Sequence, residues 1–414
     1  MEFRERILSL LDKKKLTGFL VAVLFLCSIA LSITGGDKIK YPDERDYHSL
    51  ALSLKNGEGF VDKKTKEPTA YRPPGWPFVI SLFYRITDNA LTARIINGFL
   101  IAGTAVAFSA LVSRIVPAAR IFVPLLILCY PVMIYLSSTL FPQTVAMFLF
   151  AIVLLLLEGE NKSFRKIILA GLVLGTLILT VPYFLLLIPP ILFGHFFLRK
   201  KEWKETIIKS CVFLSIAAVV VIPWTIRNAY TFKHFVPVST NSGINLLIGN
   251  SENSGPNTGV NVNLSHYKTQ VQHLGEAEKN SRFAQYAIDW ITTNPKESFS
   301  LYLKKLLNHF NFKNKLYVKG ESSSLRDLVM FISYYSLLSL TLLRVLLWKK
   351  LPLHSTEISL LTIYLFNAFA SAIFFTRIRF RIPFDLLLIG IVAIFIGILA
   401  ERILKKEPIN SSSL

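Results

Sequence analysis

Apolar residues in this chain fall into long runs separated by short polar stretches. That pattern belongs to helices buried in lipid, not to the period-two alternation of half-exposed strands. The runs cover residues 16–33, 91–112, 119–136, 143–157, 167–198, 207–224, 328–347, 358–375 and 386–399. The run 167–198 is too long for one ordinary span, and Pro182, Pro189 and Pro190 interrupt it. It reads as two short helices that turn back near Val181. The expected fold is an all-α polytopic membrane protein of about ten transmembrane helices. No internal repeat or inverted pair of the transporter kind is visible.

Composition sharpens this picture. Only 17% of the 414 residues are charged, where a soluble protein carries about 25%. The net charge of +20 reads as cytoplasmic loops facing anionic lipid, with no nucleic acid as partner. Basic clusters at Arg4, Arg6 and Lys13 to Lys15, at Lys162, Arg165 and Lys166, at Arg199 to Lys201 with Lys204, at Lys349 and Lys350, and at Lys405 and Lys406 set the orientation. The positive-inside rule puts all of them, and both termini, in the cytoplasm. No small-residue cleavage site follows the first run, so it is expected to stay as a span.

Two stretches then lie outside. The first loop, 35–90, carries short helices at 47–54 and 76–84. The region 227–326, between spans 7 and 8, begins with an Asn-, Ser- and Gly-rich loop over 241–265. Helical periodicity follows over 276–291 and 297–310, broken at Asn294-Pro295. The expected division is a transmembrane catalytic core at 1–226, an extracytoplasmic region at 227–326 and closing spans at 327–414. Cys27, Cys129 and Cys211 sit in apolar runs without metal-ligand spacing, and the seven histidines are scattered. No metal site is assigned; a divalent ion stays possible but unsupported.

The candidate chemistry gathers at outer ends of spans. Lys40-Tyr41-Pro42-Asp43-Glu44-Arg45-Asp46-Tyr47 follows the first span directly. A carboxylate in hydrocarbon costs roughly 2.5–3.5 kcal/mol, so acids at a span mouth sit in solvent or have a task. Tyr71-Arg72-Pro73-Pro74-Gly75-Trp76-Pro77 presents Arg72 on a backbone stiffened by proline. Pro223-Trp224-Thr225-Ile226-Arg227-Asn228 sets another arginine beside an interfacial tryptophan. Thr376-Arg377-Ile378-Arg379-Phe380-Arg381-Ile382-Pro383 puts three arginines in a short outer loop, against the positive-inside bias. Either the topology is off by one span or the charges serve a purpose. Extended backbone would put all three on one face, where guanidinium groups bind phosphate bidentately.

The order of these motifs resembles the GT-C class of membrane glycosyltransferases, in the branch of the protein O-mannosyltransferases and the lipid A aminoarabinose transferase. Ala93-Arg94-Ile95-Ile96-Asn97, Ser239 to Leu246 and Gly249-Asn250 complete the set. The resemblance implies a GT-C-like bundle and a polyprenyl-phosphate sugar as donor. It implies that Asp43 is the catalytic base, with Glu44 grouped beside it, and that Arg72 contacts the lipid phosphate. Tyr47, Tyr71, Arg227, Asn228, Arg377, Arg379 and Arg381 join Arg72 in the candidate binding set. The family's second acid has no counterpart here, because that loop reads Ser138-Thr139-Leu140-Phe141-Pro142-Gln143.

The expected reaction moves a sugar to an acceptor on protein, lipid or glycan at the outer face of the cytoplasmic membrane. Rival readings are a transporter or lipid flippase, which would keep ionisable residues in mid-span, and a non-catalytic assembly subunit. The discriminating geometry is Asp43, Arg72 and the late arginines in one place.

Overall fold

The computed structural model describes residues 14–159, 163–198, 202–259, 261–313 and 323–405. Arg4, Arg6, Lys13, Lys162, Arg199 to Lys201 and Lys406, which carry much of the expected orientation signal, lie outside the described residues. Among the described residues there is no strand, only one isolated bridge between Val61 and Pro68.

The helices follow the apolar runs. In order they are α1 (Lys14–Gly35), α2 (Pro42–Lys55), α3 (Gly75–Phe83), α4 (Ala90–Val112), α5 (Phe122–Leu128), α6 (Pro131–Ser137), α7 (Gln143–Leu157), α8 (Phe164–Thr180) and α9 (Ile188–Leu192). Next come α10 (Trp203–Phe232), α11 (Ser242–Gly249), α12 (Ser265–Gln270), α13 (Glu276–Thr293), α14 (Pro295–His309), α15 (Ser324–Leu346), α16 (Ser355–Ile373) and α17 (Ile378–Lys405).

Six of these, α1, α4, α10, α15, α16 and α17, are long and apolar enough to cross a membrane. The bent pair Pro117–Leu128 and Pro131–Ser137 is together long and apolar enough for a broken span or a re-entrant loop, and it turns through 73° where the sequence reads as one straight run over 119–136. Pro131 explains the break, since it lacks the N–H that a continuous helix needs. The 15-residue α7 spans about 22 Å at 1.5 Å per residue, short of an approximately 30 Å hydrocarbon core.

The tract after α8 breaks at Val181, where the sequence places the turn. Two glycines fix the direction of its neighbours. A Cβ on Gly171 would meet Phe213 O and Ile216, and one on Gly175 would meet Ala217 O and Val220. Both partners advance together along the chain, so α8 and α10 pack parallel at close range. The segment Pro182–Phe197 between them therefore returns the chain to the start of α10.

α17 is the central post, with 89% of its apolar window buried. Its side chains pack on the Pro117–Ile121 turn, α5, α7, α15 and α16. Gly390 lies on Phe108 and Leu360, and Gly397 lies on Ala119. In contrast α1, α10 and α15 are largely exposed, with 22% of each apolar window buried, as lipid-facing outer helices require.

The segment 241–265 is not loop throughout, because it contains α11 and the start of α12. Helix α11 is short but lodged. Its Gly249 lies so close to the Phe374 carbonyl that no Cβ would fit between them. Fully buried Lys305 of α14 stitches the two together. Its ammonium donates to Gly249 O (2.9 Å), Asn250 Oδ1 (3.0 Å) and Phe374 O (2.9 Å).

Burial pushes the Lys305 ammonium down to about 7, below its usual 10.5. The unfolded chain then binds the extra proton between about 7 and 10.5, so stability is expected to rise with pH across that window. Lys305→Met should flatten that rise. It should also cost about 1–3 kcal/mol, because three buried oxygens lose their donor. Thermal melts of the purified protein from pH 6.5 to 10 would check both.

Candidate active site

The site begins with the way α2 starts. Tyr41 is extended, Pro42 takes the first helical position, and Glu44 at the third accepts from the backbone N–H of Lys40 (2.9 Å) and Tyr41 (3.1 Å). Its other oxygen accepts from Leu140 N–H at 2.9 Å. The start of α2 is thereby pinned to the turn after α6. Asp43, Asp46 and Tyr47 then fall at i, i+3 and i+4, one face of the helix.

Arg72 comes to that face from the proline-rich turn before α3. Its Nη2 donates to Asp43 Oδ1 at 2.6 Å and to Asp46 Oδ2 at 2.8 Å, and its Nε donates to the same Asp46 oxygen at 3.0 Å. The guanidinium lies 5.0 Å from the Tyr71 ring and 5.6 Å from the Tyr47 ring. From the far end of the chain, Arg379 Nη2 donates to the remaining Asp43 oxygen at 2.6 Å. Arg379 stacks on Phe141 (4.3 Å) and Phe380 (4.8 Å). Phe141 in turn packs on Tyr41, whose hydroxyl meets the Tyr135 hydroxyl at 2.6 Å.

Asp43 thus sits between two guanidinium groups drawn from positions 72 and 379. Burial works to raise its carboxyl, but Arg379 and Arg72 outweigh burial and hold it below the usual carboxylate range. The cluster is only partly covered: the side chains of Asp43, Arg72 and Arg379 are 20%, 15% and 30% exposed. Asp43, Asp46, Arg72 and Arg379 together are neutral, so an arriving anion competes with carboxylates for the arginines instead of meeting free cations.

The other candidates lie elsewhere. Glu44 is 1% exposed and its oxygens accept from three backbone amides, so it ties the start of α2 to the turn after α6. Arg227 donates to Thr69 O (2.9 Å) and Phe60 O (3.2 Å) and stacks on Trp224 at 4.8 Å. Asn228 is buried and donates to Val236 O (3.1 Å) and Val238 O (3.3 Å). Arg227 thus holds the first loop against the end of α10, and Asn228 holds the segment that follows α10. Glu276 assists from α13, accepting from Ala70 N–H (2.8 Å) and Thr69 Oγ1 (2.6 Å).

The three late arginines do not share a face. The segment is helical from Ile378, and residues two apart on a helix point about 200° apart. Arg377 lies against Gly259. Arg381 is 2% exposed and pairs with Asp385 at 3.0 Å, while its Nη1 donates to His309 O and Asn311 O, both at 2.7 Å. Only Arg379 reaches Asp43. Asp46 was not singled out in the sequence, although its spacing from Asp43 carried the signal once helix α2 began at Pro42 instead of Tyr47.

The chain shares recognisable features with known proteins. The model of the Alg9-like mannosyltransferase family matches residues 68–257, a stretch that includes Arg72 and α10 but neither Asp43 nor Arg379. No curated protein matches the chain. Among solved structures it is similar to ArnT from Cupriavidus metallidurans bound to undecaprenyl phosphate, with 14% identity over 94% of this chain and 78% of that one and a TM-score of 0.43. The apo form of the same protein gives 14% identity, 91% and 76% coverage and a TM-score of 0.43. The family match, on a multi-pass helical chain, bears out the resemblance to the membrane glycosyltransferases of the GT-C class.

Proposed function

We propose that the protein transfers a sugar from a polyprenyl-phosphate donor to an acceptor hydroxyl at the outer face of the cytoplasmic membrane. The observation that carries this reading is the sharing of Asp43 between Arg72 and Arg379. A donor phosphate would compete for those two guanidinium groups. Once they turn to the phosphate, the Asp43 carboxylate loses the charges that depress it and becomes a stronger base. It then takes the acceptor proton as the acceptor oxygen attacks the anomeric carbon from the face opposite the phosphate. The carbon–oxygen bond to phosphate breaks, and polyprenyl phosphate leaves with its charge held by Arg72 and Arg379. Asp46 keeps Arg72 oriented throughout. The configuration at the anomeric carbon inverts.

The outer location is supported by charge. Helix α16 runs from the loop carrying Lys349 and Lys350 toward the Asp43 end, so these lysines lie at the opposite end of the bundle. Basic loops favour the cytoplasm. The name of the matched family makes a mannosyl donor the first to try. The test in cells is mass analysis of surface glycans and glycolipids in a deletion strain. One sugar mass should disappear, and should return with the intact chain but not with Asp43→Asn. Unchanged masses in the deletion strain would reject the reading.

A further inference from the structure

Arg72 and Arg379 reach Asp43 from opposite ends of the chain, yet the same pair of helices braces both approaches. Three residues ahead of Arg72, Thr69 is 5% exposed and its hydroxyl donates to Glu276 Oε2 at 2.6 Å. That hydroxyl in turn accepts from Tyr71 N–H at 3.0 Å, one residue short of Arg72. The other Glu276 oxygen accepts from Ala70 N–H (2.8 Å) and the Thr240 hydroxyl (2.5 Å). Beyond Arg72, Pro73 and Pro74 leave the backbone little freedom, and Gly75 lies so close to Leu179 and Thr180 that no Cβ would fit.

The arrangement repeats three residues ahead of Arg379. Thr376 is 2% exposed, and its hydroxyl accepts from Asn308 Nδ2 at 2.8 Å and donates to Lys305 O at 3.2 Å. Asn250 donates to Ile373 O at 2.8 Å, beside the Lys305 bond to Phe374 O. Glu276 opens α13 and Asn308 lies in the last turn of α14, two consecutive helices that pack on each other. One two-helix unit therefore grips both arginine-bearing segments. We propose that Glu276 and Asn308 are positioning residues, which set the gap between Arg72 and Arg379 through the hydroxyls of Thr69 and Thr376. Two guanidinium groups can share one phosphate only at a fixed separation, and a braced backbone lowers the ordering cost of each. This deepens the reading of Arg72 and Arg379 as holders of the donor phosphate and rests on it.

Binding of undecaprenyl phosphate to the purified full chain in detergent tests the inference, since this probe carries the phosphate without a sugar. Arg72→Gln and Arg379→Gln should each weaken binding about tenfold. Thr69→Val should weaken it about fivefold, and Glu276→Gln, which keeps the side-chain shape, should do the same. Thr69→Ser keeps the hydroxyl and should bind like the parent. Added to Arg72→Gln, Thr69→Val should weaken binding no further, because the arginine it positions is gone. Thr376→Val should depend on Arg379 in the same way. A loss from Thr69→Val that persists in full on Arg72→Gln would overturn the inference, as would parent-like binding by both valine variants. Either result leaves the role of the arginines standing. Parent-like binding by Arg72→Gln and Arg379→Gln would overturn the inference together with the reading beneath it.

Discussion

Asp43→Asn is expected to lower sugar transfer by about 10²–10⁴-fold, the usual contribution of a positioned base. The amide keeps the size of the carboxylate but cannot take a proton, and it presents an N–H₂ to one of two arginines now facing it. Donor binding should hold or improve, because Arg72 and Arg379 no longer answer to a carboxylate. Arg72→Gln and Arg379→Gln should behave differently. Each removes a donor aimed at the leaving phosphate and should cost about 10²–10³-fold in transfer together with weaker donor binding. Steady-state release of polyprenyl phosphate from a labelled donor separates the two patterns. Near-parent turnover by Asp43→Asn would remove Asp43 from the chemistry.

Arg381→Leu is expected to damage folding rather than the reaction. The pair it forms with Asp385 is buried, at 2% and 0% side-chain exposure, and Tyr130 donates to the same carboxylate at 2.7 Å. The Arg381 guanidinium also lies 3.6 Å from the Tyr334 ring and caps two carbonyls after α14. Removing one partner leaves a charge without its counter-ion inside the bundle, at a cost of about 3–5 kcal/mol. Replacing both, Arg381→Leu with Asp385→Leu, should recover much of that loss, because the lone charge goes as well. Melting temperature and folded yield after detergent extraction read the difference. A single variant as stable as the parent would show that the pair is not a keystone of α17.

The sequence made much of this legible, and its failures share a cause. Long apolar runs give the helices directly, because lipid demands that backbone groups pair within each segment. That Asp43 meets Arg72 and a late arginine was legible, because unusual charges gather at the outer ends of spans; which of the three late arginines it meets was not. Roles that depend on local backbone geometry were not legible. Arg377, Arg379 and Arg381 share a face on extended backbone and diverge on a helix, and the segment is helical from Ile378. Glu44 and Asp43 are adjacent and chemically alike, yet one faces three amides and the other two guanidinium groups. That difference follows from the Pro42 helix start, which turns the two side chains about 100° apart. Arg227 reads as a ligand contact because arginine serves phosphate and carbonyl equally well. Only the position of Thr69 and Phe60 shows which it serves.

The central claim is that Asp43 is a base held down by two arginines until the donor phosphate draws them away. The pH dependence of transfer tests it most directly, since kcat/KM reports the free enzyme and kcat the loaded one. With Asp43 depressed by Arg379 and Arg72, the acid limb of kcat/KM should lie below the usual carboxylate range. Loss of activity then comes only as pH falls through that lowered value. The acid limb of kcat should lie higher, and Arg379→Gln should move the kcat/KM limb upward. Coincident limbs at the ordinary carboxylate position, unmoved by Arg379→Gln, would contradict the account.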